Sequence, residues 1–198
     1  TGLVKNKILE FAGPGVKALP MDFRIGIDVM TTETACLSSI WETDEKVEEY
    51  LAIHGRPDSY RALRVEEGAY YDGCIELDLS TIECMIALPM HPSYAYPIRE
   101  LKANARDILH EIETRANEQL SGKVHMDLVS KVAADGSIRV DQGVVAGCSG
   151  GTFENVCDVA RILRGKNCGA GTFRLSVYPD SMPTYLELVK NGAVADIV

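Results

Sequence analysis

The sequence lacks any long hydrophobic run. A membrane-spanning helix needs about 20 consecutive apolar residues, and the longest candidates, such as residues 82–89, are interrupted well before that length. The first residues, Thr-Gly-Leu-Val-Lys-Asn-Lys, also lack the apolar centre of a secretory signal peptide. We therefore expect no membrane span and no secretion, and we expect a cytoplasmic protein.

Positive charge is scarce as well. The chain has 20 Lys and Arg against 29 Asp and Glu, which gives a formal net charge of -9. Such an acidic surface repels phosphate backbones and anionic lipid headgroups, so we expect neither nucleic acid nor a membrane surface as a partner. The hydrophobic fraction of 46% is, by contrast, that of an ordinary globular protein. The 198 residues suit one large domain or two small ones.

Paired cysteines are missing too. The six cysteines form no Cys-x-x-Cys pair and do not have the spacing of a secreted disulfide scaffold. We expect them to be reduced, and most of them to be buried as small hydrophobic side chains. They are Cys36, Cys74, Cys84, Cys148, Cys157 and Cys168.

The first half of the chain alternates short apolar segments with helix signals. The run Thr31-Thr32-Glu33-Thr34 offers an N-cap and predicts a helix from about Thr34. Another helix is predicted to begin at residues 43–45 and to end at His54-Gly55-Arg56-Pro57, where Gly and Pro stand as at a helix stop. Strands are predicted at residues 7–11, 25–29 and 71–79.

The second half has a clearer pattern. Apolar residues at helical spacing predict an amphipathic helix over residues 99–120. The segments that follow are a strand (138–146), a tight turn (147–151), a helix (152–163), a loop (165–171), a strand (173–178), a helix (182–190) and the start of a strand at residue 195. This alternation predicts a parallel sheet with right-handed crossovers. Three prolines between residues 89 and 97 predict a boundary between two lobes.

Cys148 is the best candidate for chemistry. It is predicted to lie at the carboxyl end of a strand and just before a helix, where ligands gather in parallel sheets and where backbone amides favour an anion. Glycines at positions 147, 150 and 151 allow a ligand to approach the backbone. A nucleophile, a ligand of a soft metal and an inert thiol all remain open. None of the four histidines is predicted at a strand end of the same lobe, which disfavours a Cys–His hydrolase, and the turn is no Gly-x-Gly-x-x-Gly or Walker motif.

Several segments together resemble the aconitase superfamily of iron–sulfur hydro-lyases. The turn and helix at 147–156 look like the Ser/Gly-Cys-Thr-Asn-Ser turn that carries the family's first cluster cysteine. Residues 30–35 look like its Met-x-x-Glu-x-Gly-Ala turn. Further segments that match in the same order are 10–16, 50–51, 55–56, 71–80, 89–97 and 173–179.

The resemblance implies an α/β fold with two three-layer α/β/α lobes and mostly parallel sheets, the second lobe truncated. Residues 1–97 would form the family's second domain, and residues 98–198 the first part of its third. Family members bind a [4Fe-4S] cluster through three cysteines. Cys148 matches the first of these metal ligands, with Ser149 and Gly150 beside the cofactor, and Glu33 matches a catalytic carboxylate. The other two cysteines would lie beyond this chain, so the piece alone is expected to be inactive and without its cluster.

Some positions depart from the family pattern. Ser149-Gly150-Gly151 replaces Thr-Asn-Ser after the cysteine, and Val29 stands where many members have Asn. These differences favour a divergent, hydratase-like branch. Two hypotheses follow from the resemblance. The full-length protein is a hydro-lyase for a small di- or tricarboxylic acid, with the remaining domains of the polypeptide as its partners, or it is a binding or regulatory protein that has lost the cluster.

Overall fold

A computed structural model describes residues 2–169 and 171–198 of the chain. The α-helices are α1 (Pro14–Ala18), α2 (Met21–Thr31), α3 (Glu45–Ile53), α4 (Ile98–Ala103), α5 (Ala105–Leu120), α6 (Gly147–Gly150), α7 (Phe153–Leu163), α8 (Met182–Lys190) and α9 (Ala193–Ile197). The strands are β1 (Ile8–Phe11), β2 (Ser38–Trp41), β3 (Met85–Ala87), β4 (Ala95–Pro97), β5 (Gln142–Val145) and β6 (Arg174–Val177). Within the described ranges, no helix has both the length and the apolar character needed to cross a membrane.

The described residues fall into two compact units. Unit 1 contains residues 2–78, 144–169 and 175–198, and unit 2 contains residues 79–143 and 171–174. The domain boundary predicted between residues 97 and 98 concerns the domains of a longer polypeptide and stays a prediction.

Unit 1 begins with a β-α-β crossover. Strands β1 and β2 pair in parallel, with Ile8 opposite Ser38 and Phe11 opposite Trp41. A parallel pair needs a long connection, and helices α1 and α2 provide it. The rings of Phe11 and Trp41 stack with their centroids 4.2 Å apart, so this small sheet has an aromatic pair across its strands.

A buried ion pair joins helices α2 and α3. The guanidinium of Arg24 donates to both carboxylate oxygens of Asp44, at 3.0 and 2.6 Å, and to the carbonyls of Val16 (2.9 Å) and Leu19 (3.2 Å). Asp44 is also the N-cap of α3. The hydrogen bond from Arg24 holds the pKa of Asp44 below its ordinary value despite the opposing effect of burial.

The C-terminal helices of unit 1 enclose a hydrophobic cluster. It contains Val156 and Ala160 of α7, Leu188 of α8 and Ala193 of α9. Helix α8 begins where the sequence signals placed it, because Ser181 Oγ accepts a hydrogen bond from Thr184 N at 3.3 Å.

Unit 2 is built around the long helix α5. Its hydrophobic cluster contains Leu88, Leu101, Ala105, Ile108, Leu109, Ile112 and Val132. Strands β3 and β4, which precede α5 in the sequence, pair antiparallel. Glu113 of α5 fixes the following segment by accepting from the backbone amides of Leu128 (2.7 Å) and Val129 (3.0 Å).

Strands β5 and β6 form the third pair. Backbone hydrogen bonds run from Arg174 N to Asp141 O (3.4 Å) and from Tyr178 N to Val145 O (2.8 Å). These bonds advance in the same direction along both strands, which is the pattern of a parallel pair. The α/β class and the predominance of parallel pairing are therefore confirmed, although each sheet of the described residues has two strands.

Several predicted elements are present with small shifts. The strand at 7–11, the helix from residue 45 and the helices at 152–163 and 182–190 correspond to β1, α3, α7 and α8. The strands at 138–146 and 173–178 are shorter than predicted and become β5 and β6. The tight turn at 147–151 contains the single helical turn α6. The predicted loop at 165–171 includes Ala170, which lies outside the described residues, and its other residues form no helix or strand.

Four predictions of secondary structure are wrong. Residues 25–29 belong to helix α2, and the helix expected from Thr34 is cut off because Ala35 adopts a left-handed φ of 60°. Residues 71–79 form no strand in the described structure. The strand expected at residue 195 is helix α9, since Gly192, with a φ of 87°, starts a new helix. In addition, the helix predicted over 99–120 is broken at Asn104.

Candidate active-site turn

The predicted strand–turn–helix around Cys148 is present. Strand β5 ends at Val145, Ala146 is extended, and Gly147 turns the chain with a φ of 85°. Helix α7 then begins at Phe153. The turn thus needs a residue without a side chain at its first position, because a φ near 85° is strained for any other residue.

Gly151 is fixed against the end of the neighbouring strand β6. Its carbonyl accepts from Asp180 N at 2.8 Å, and its own amide donates to Gly147 O at 2.9 Å. A Cβ atom at Gly151 would lie 2.5 Å from Tyr178 O and 2.9 Å from Asp180 N. The close approach of two backbones therefore explains this glycine.

Ser149 connects the turn with two helices. Asn155 in the first turn of α7 donates from Nδ2 to Ser149 O at 2.6 Å. On the other side, an added Cβ at Gly26 of α2 would lie 3.5 Å from Ser149 Cβ, which is ordinary van der Waals contact. Helix α2 therefore packs against the turn that carries Cys148.

The N-terminus of α7 is capped from a distant part of the chain. Thr152 occupies the N-cap position, but its buried Oγ1 has no hydrogen-bond partner among the residues that are described. Instead, Glu154 N donates to Asp22 Oδ2 of helix α2 at 2.9 Å. Sequence analysis missed Asp22, since no local motif connects positions 132 residues apart.

Cys148 has an exposed side chain, as do Cys74, Cys84 and Cys168. Cys36 and Cys157 are half-buried, and all six thiols are free. The expectation of mostly buried cysteines was therefore wrong. An exposed thiol on a fixed turn is accessible to a ligand, a metal or a modifying reagent.

The cysteine turn offers one soft-metal donor. Residues 2–169 and 171–198 contain no group of three or more His, Cys, Asp and Glu side chains placed to hold a metal ion. One thiolate fits the role of a single ligand of an iron–sulfur cluster, and the remaining ligands would have to come from elsewhere in the polypeptide.

Glu33 lies on a single 3-10 turn, Thr32–Thr34, that directly follows α2, and its side chain is exposed. It stands seven residues beyond Gly26, the α2 residue that touches the cysteine turn, which is about 10 Å of helical rise. Glu33 thus follows the C-terminal end of helix α2, and α2 contacts the Cys148 turn near its middle. The catalytic role of Glu33 and the cofactor roles of Cys148, Ser149 and Gly150 stay predictions.

Two segments of the family resemblance meet in unit 1. The hydroxyl of Tyr71 donates to Glu10 Oε2 at 2.8 Å, and this hydrogen bond raises the pKa of Tyr71. Residues 71–79 are not a strand, yet this contact joins Tyr71 of one matching segment to Glu10 of another.

A charged cleft of unit 1 lies elsewhere. It has a volume of about 270 Å³, and neither Cys148 nor Glu33 lines it. Its walls carry charges of both signs, among them Lys17, Arg64, Glu42 and Glu48. This cleft is therefore not part of the candidate site around Cys148.

Comparison with known proteins gives a consistent result. The family model described as "Aconitase family (aconitate hydratase)" matches residues 1–197. The 3-isopropylmalate dehydratase large subunit of Caldicellulosiruptor saccharolyticus is 26% identical over 188 residues, which are 95% of this chain and 36% of that protein. The corresponding large subunit of Picrophilus torridus is 29% identical over 192 residues, 97% of this chain and 37% of the relative.

A relative with a different name matches over a similar range. The 2,3-dimethylmalate dehydratase large subunit of Eubacterium barkeri is 26% identical over 190 residues, 96% of this chain and 37% of that protein. The chain thus spans a little over a third of the length of these curated relatives.

Proposed function

Because the chain belongs to the aconitase family, we propose that it is part of a [4Fe-4S]-dependent hydro-lyase that adds or removes water on a small di- or tricarboxylic acid. The observation that carries this proposal is the exposed Cys148 on the fixed turn between β5 and α7. It stands at the position where the family resemblance requires the first cluster ligand.

The names of the relatives support the substrate class. Two kinds of relative are named as dehydratases of substituted malates, and malates are small hydroxy-dicarboxylic acids. Both are also named as large subunits. We therefore include a dicarboxylate substrate and a companion subunit in the proposal. The remaining domains of the polypeptide and a cytoplasmic location are further parts of the proposal. The proposed domains are residues 1–97 and 98–198.

Within this proposal each residue of the chain has a limited role. Cys148 supplies one thiolate, while the backbone of Ser149 and Gly150 lines the cofactor side of the turn. Glu33 orients groups that move a proton to or from the substrate. A bound cluster of this type supplies a Lewis acid that polarises the substrate's hydroxyl and carboxylate. This chain alone, with one such thiolate, is proposed to be inactive.

The test uses the full-length polypeptide, reconstituted anaerobically with iron and sulfide. We expect a visible absorption band of a [4Fe-4S] cluster and dehydratase activity on malate-type acids. Cys148→Ser should abolish the normal cluster spectrum, whereas Cys74→Ser, which changes another exposed cysteine of unit 1, should preserve it.

Two outcomes would contradict the proposal. A Cys148→Ser protein with a normal cluster would remove the ligand assignment. A full-length sequence without a Cys-x-x-Cys pair in its next segment would favour the alternative, a non-catalytic binding or regulatory protein on the same fold. The replacement of Thr-Asn-Ser by Ser149-Gly150-Gly151 is the feature that keeps this alternative in view.

A further inference from the structure

We infer that Asp22 is a positioning residue that sets the orientation of Cys148 by capping helix α7 from helix α2. The inference rests on the proposed role of Cys148 as a ligand. Its structural part, the dependence of the Cys148 turn on Asp22, is testable without any cluster.

Helix α7 receives no side-chain cap from its own N-cap residue. The first amides of a helix have no partner within the helix, and a Thr at the N-cap normally accepts from one of them. Thr152 does not, because its buried Oγ1 makes no hydrogen bond with the described residues. Glu154 N donates to Asp22 Oδ2 instead, at 2.9 Å.

Asp22 also brings a negative charge to the N-terminus of α7. A carboxylate at a helix N-terminus is stabilised by the positive end of the helix dipole. Helix α7 has 11 residues, which is enough for a dipole of ordinary strength. Asp22 therefore supplies both the acceptor and the charge that this end of α7 favours.

Hydrogen bonds in the first turn of α7 connect Asp22 with the residue next to Cys148. Asn155, the residue after Glu154, donates to Ser149 O at 2.6 Å, and Ser149 directly follows Cys148. Helix α2 also contacts Ser149 through Gly26, one turn beyond Asp22. Loss of the Asp22 contact would loosen the first turn of α7. Because Asn155 lies in that turn, its hydrogen bond to Ser149 O, which holds the cysteine turn, would loosen as well.

The experiment measures the alkylation rates of individual cysteines in the full-length, cluster-free polypeptide, with iodoacetamide and mass spectrometry. For Asp22→Ala we expect the rate at Cys148 to change by about threefold or more, in line with the loss of a helix cap. The rates at Cys74 and Cys84 should stay at their wild-type values. Asp22→Asn keeps a side-chain oxygen as acceptor and should restore most of the wild-type rate at Cys148.

Asp28→Ala is the matched control. It also removes a carboxylate of α2, but Asp28 accepts hydrogen bonds from Ser39 and from Trp41 Nε1, which lie on β2. It should leave the Cys148 rate unchanged. An unchanged Cys148 rate in Asp22→Ala, or an equal rise at all cysteines in that variant, would overturn the inference.

A second measurement covers the case in which Asp22→Ala does not fold. In the wild-type protein, the amide of Glu154 should exchange with deuterium slowly although its residue is exposed, because Asp22 accepts its hydrogen. Fast exchange at Glu154 would overturn the inference. If the alkylation pattern is as expected but no cluster forms in the wild-type protein, the positioning role stands and the proposed function fails.

Discussion

At the scale of single residues, the glycines of the cysteine turn have separate structural roles. Gly147 supplies a left-handed backbone, and Gly151 allows the close approach of the chain at Tyr178 and Asp180. Gly150 has neither constraint, since an added Cβ there would meet no atom within 4 Å. The sequence alone shows three similar glycines, and their different roles depend on how β6 ends beside the turn.

Gly151→Ala should therefore be destabilising. The new methyl group would have to move the backbone at Tyr178 or Asp180, and overpacking of this kind costs about 1–3 kcal/mol. Chemical denaturation of the variant and of wild-type protein gives the difference in free energy of unfolding. Gly150→Ala is the control in the same turn and should be close to neutral. Equal stability of the two variants would show that the backbone at Tyr178 and Asp180, just after β6, does not approach Gly151 in solution.

At the scale of elements, helix α2 connects the parts of unit 1. Asp22 caps α7, Arg24 pairs with Asp44 at the start of α3, Gly26 meets Ser149, and Asp28 accepts from β2. The same segment was predicted as a strand from Ile25 to Val29. The apolar, β-branched residues favour a strand locally, but contacts on several sides of the helix outweigh that preference.

The Arg24–Asp44 pair predicts a pH dependence. Because the pKa of Asp44 is lowered in the folded protein, the unfolded chain binds the proton more readily. The pair therefore contributes its full stabilisation above the ordinary Asp pKa of about 3.9 and loses it as the pH falls through the lowered pKa. We expect Asp44→Asn to be less stable at neutral pH by about 3–5 kcal/mol, because the buried Arg24 would lose the charge that pairs with it.

The decisive measurement for this pair is the free energy of unfolding of both proteins from pH 7 down to pH 3. The difference between wild-type and Asp44→Asn protein should shrink toward acid pH. Asp135→Asn is the comparison, since Asp135 also has a lowered pKa, from its hydrogen bonds with Ser137, but is an exposed turn residue. A constant difference across the pH range would mean that Asp44 does not contribute through its charge.

Elements with local signals were predictable from the sequence, and elements that depend on distant partners were not. Helix α8 has a capping Ser181 and ends before Asn191-Gly192, so its bounds could be read without the structure. Residues 71–79 alternate like a strand, but alternation gives no strand without a neighbour to pair with, and Tyr71 instead reaches Glu10 through its side chain. The position of Cys148 followed from local pattern and family resemblance, whereas Asp22, 132 residues from Glu154, did not.

At the scale of the whole molecule, two clusters of buried hydrophobic residues in the described part of the chain belong to different units. Ile112 lies in the cluster around α5 in unit 2, and Leu188 in the cluster of α7 to α9 in unit 1. Both side chains are fully buried. Replacing either by Ala should cost about 2–5 kcal/mol of unfolding free energy, but in a different unit in each case.

The single tryptophan makes this distinction measurable. Trp41 is the only Trp of the 198-residue chain, and it lies in unit 1, stacked on Phe11. Its fluorescence therefore reports on unit 1, while far-ultraviolet circular dichroism reports on the helices of both units. If the two units unfold separately, Ile112→Ala should lower the transition seen by circular dichroism and leave the Trp41 transition nearly unchanged, and Leu188→Ala should lower the Trp41 transition. Coincident shifts of both signals in both variants would instead identify one cooperative unit, because a single two-state transition moves every probe together.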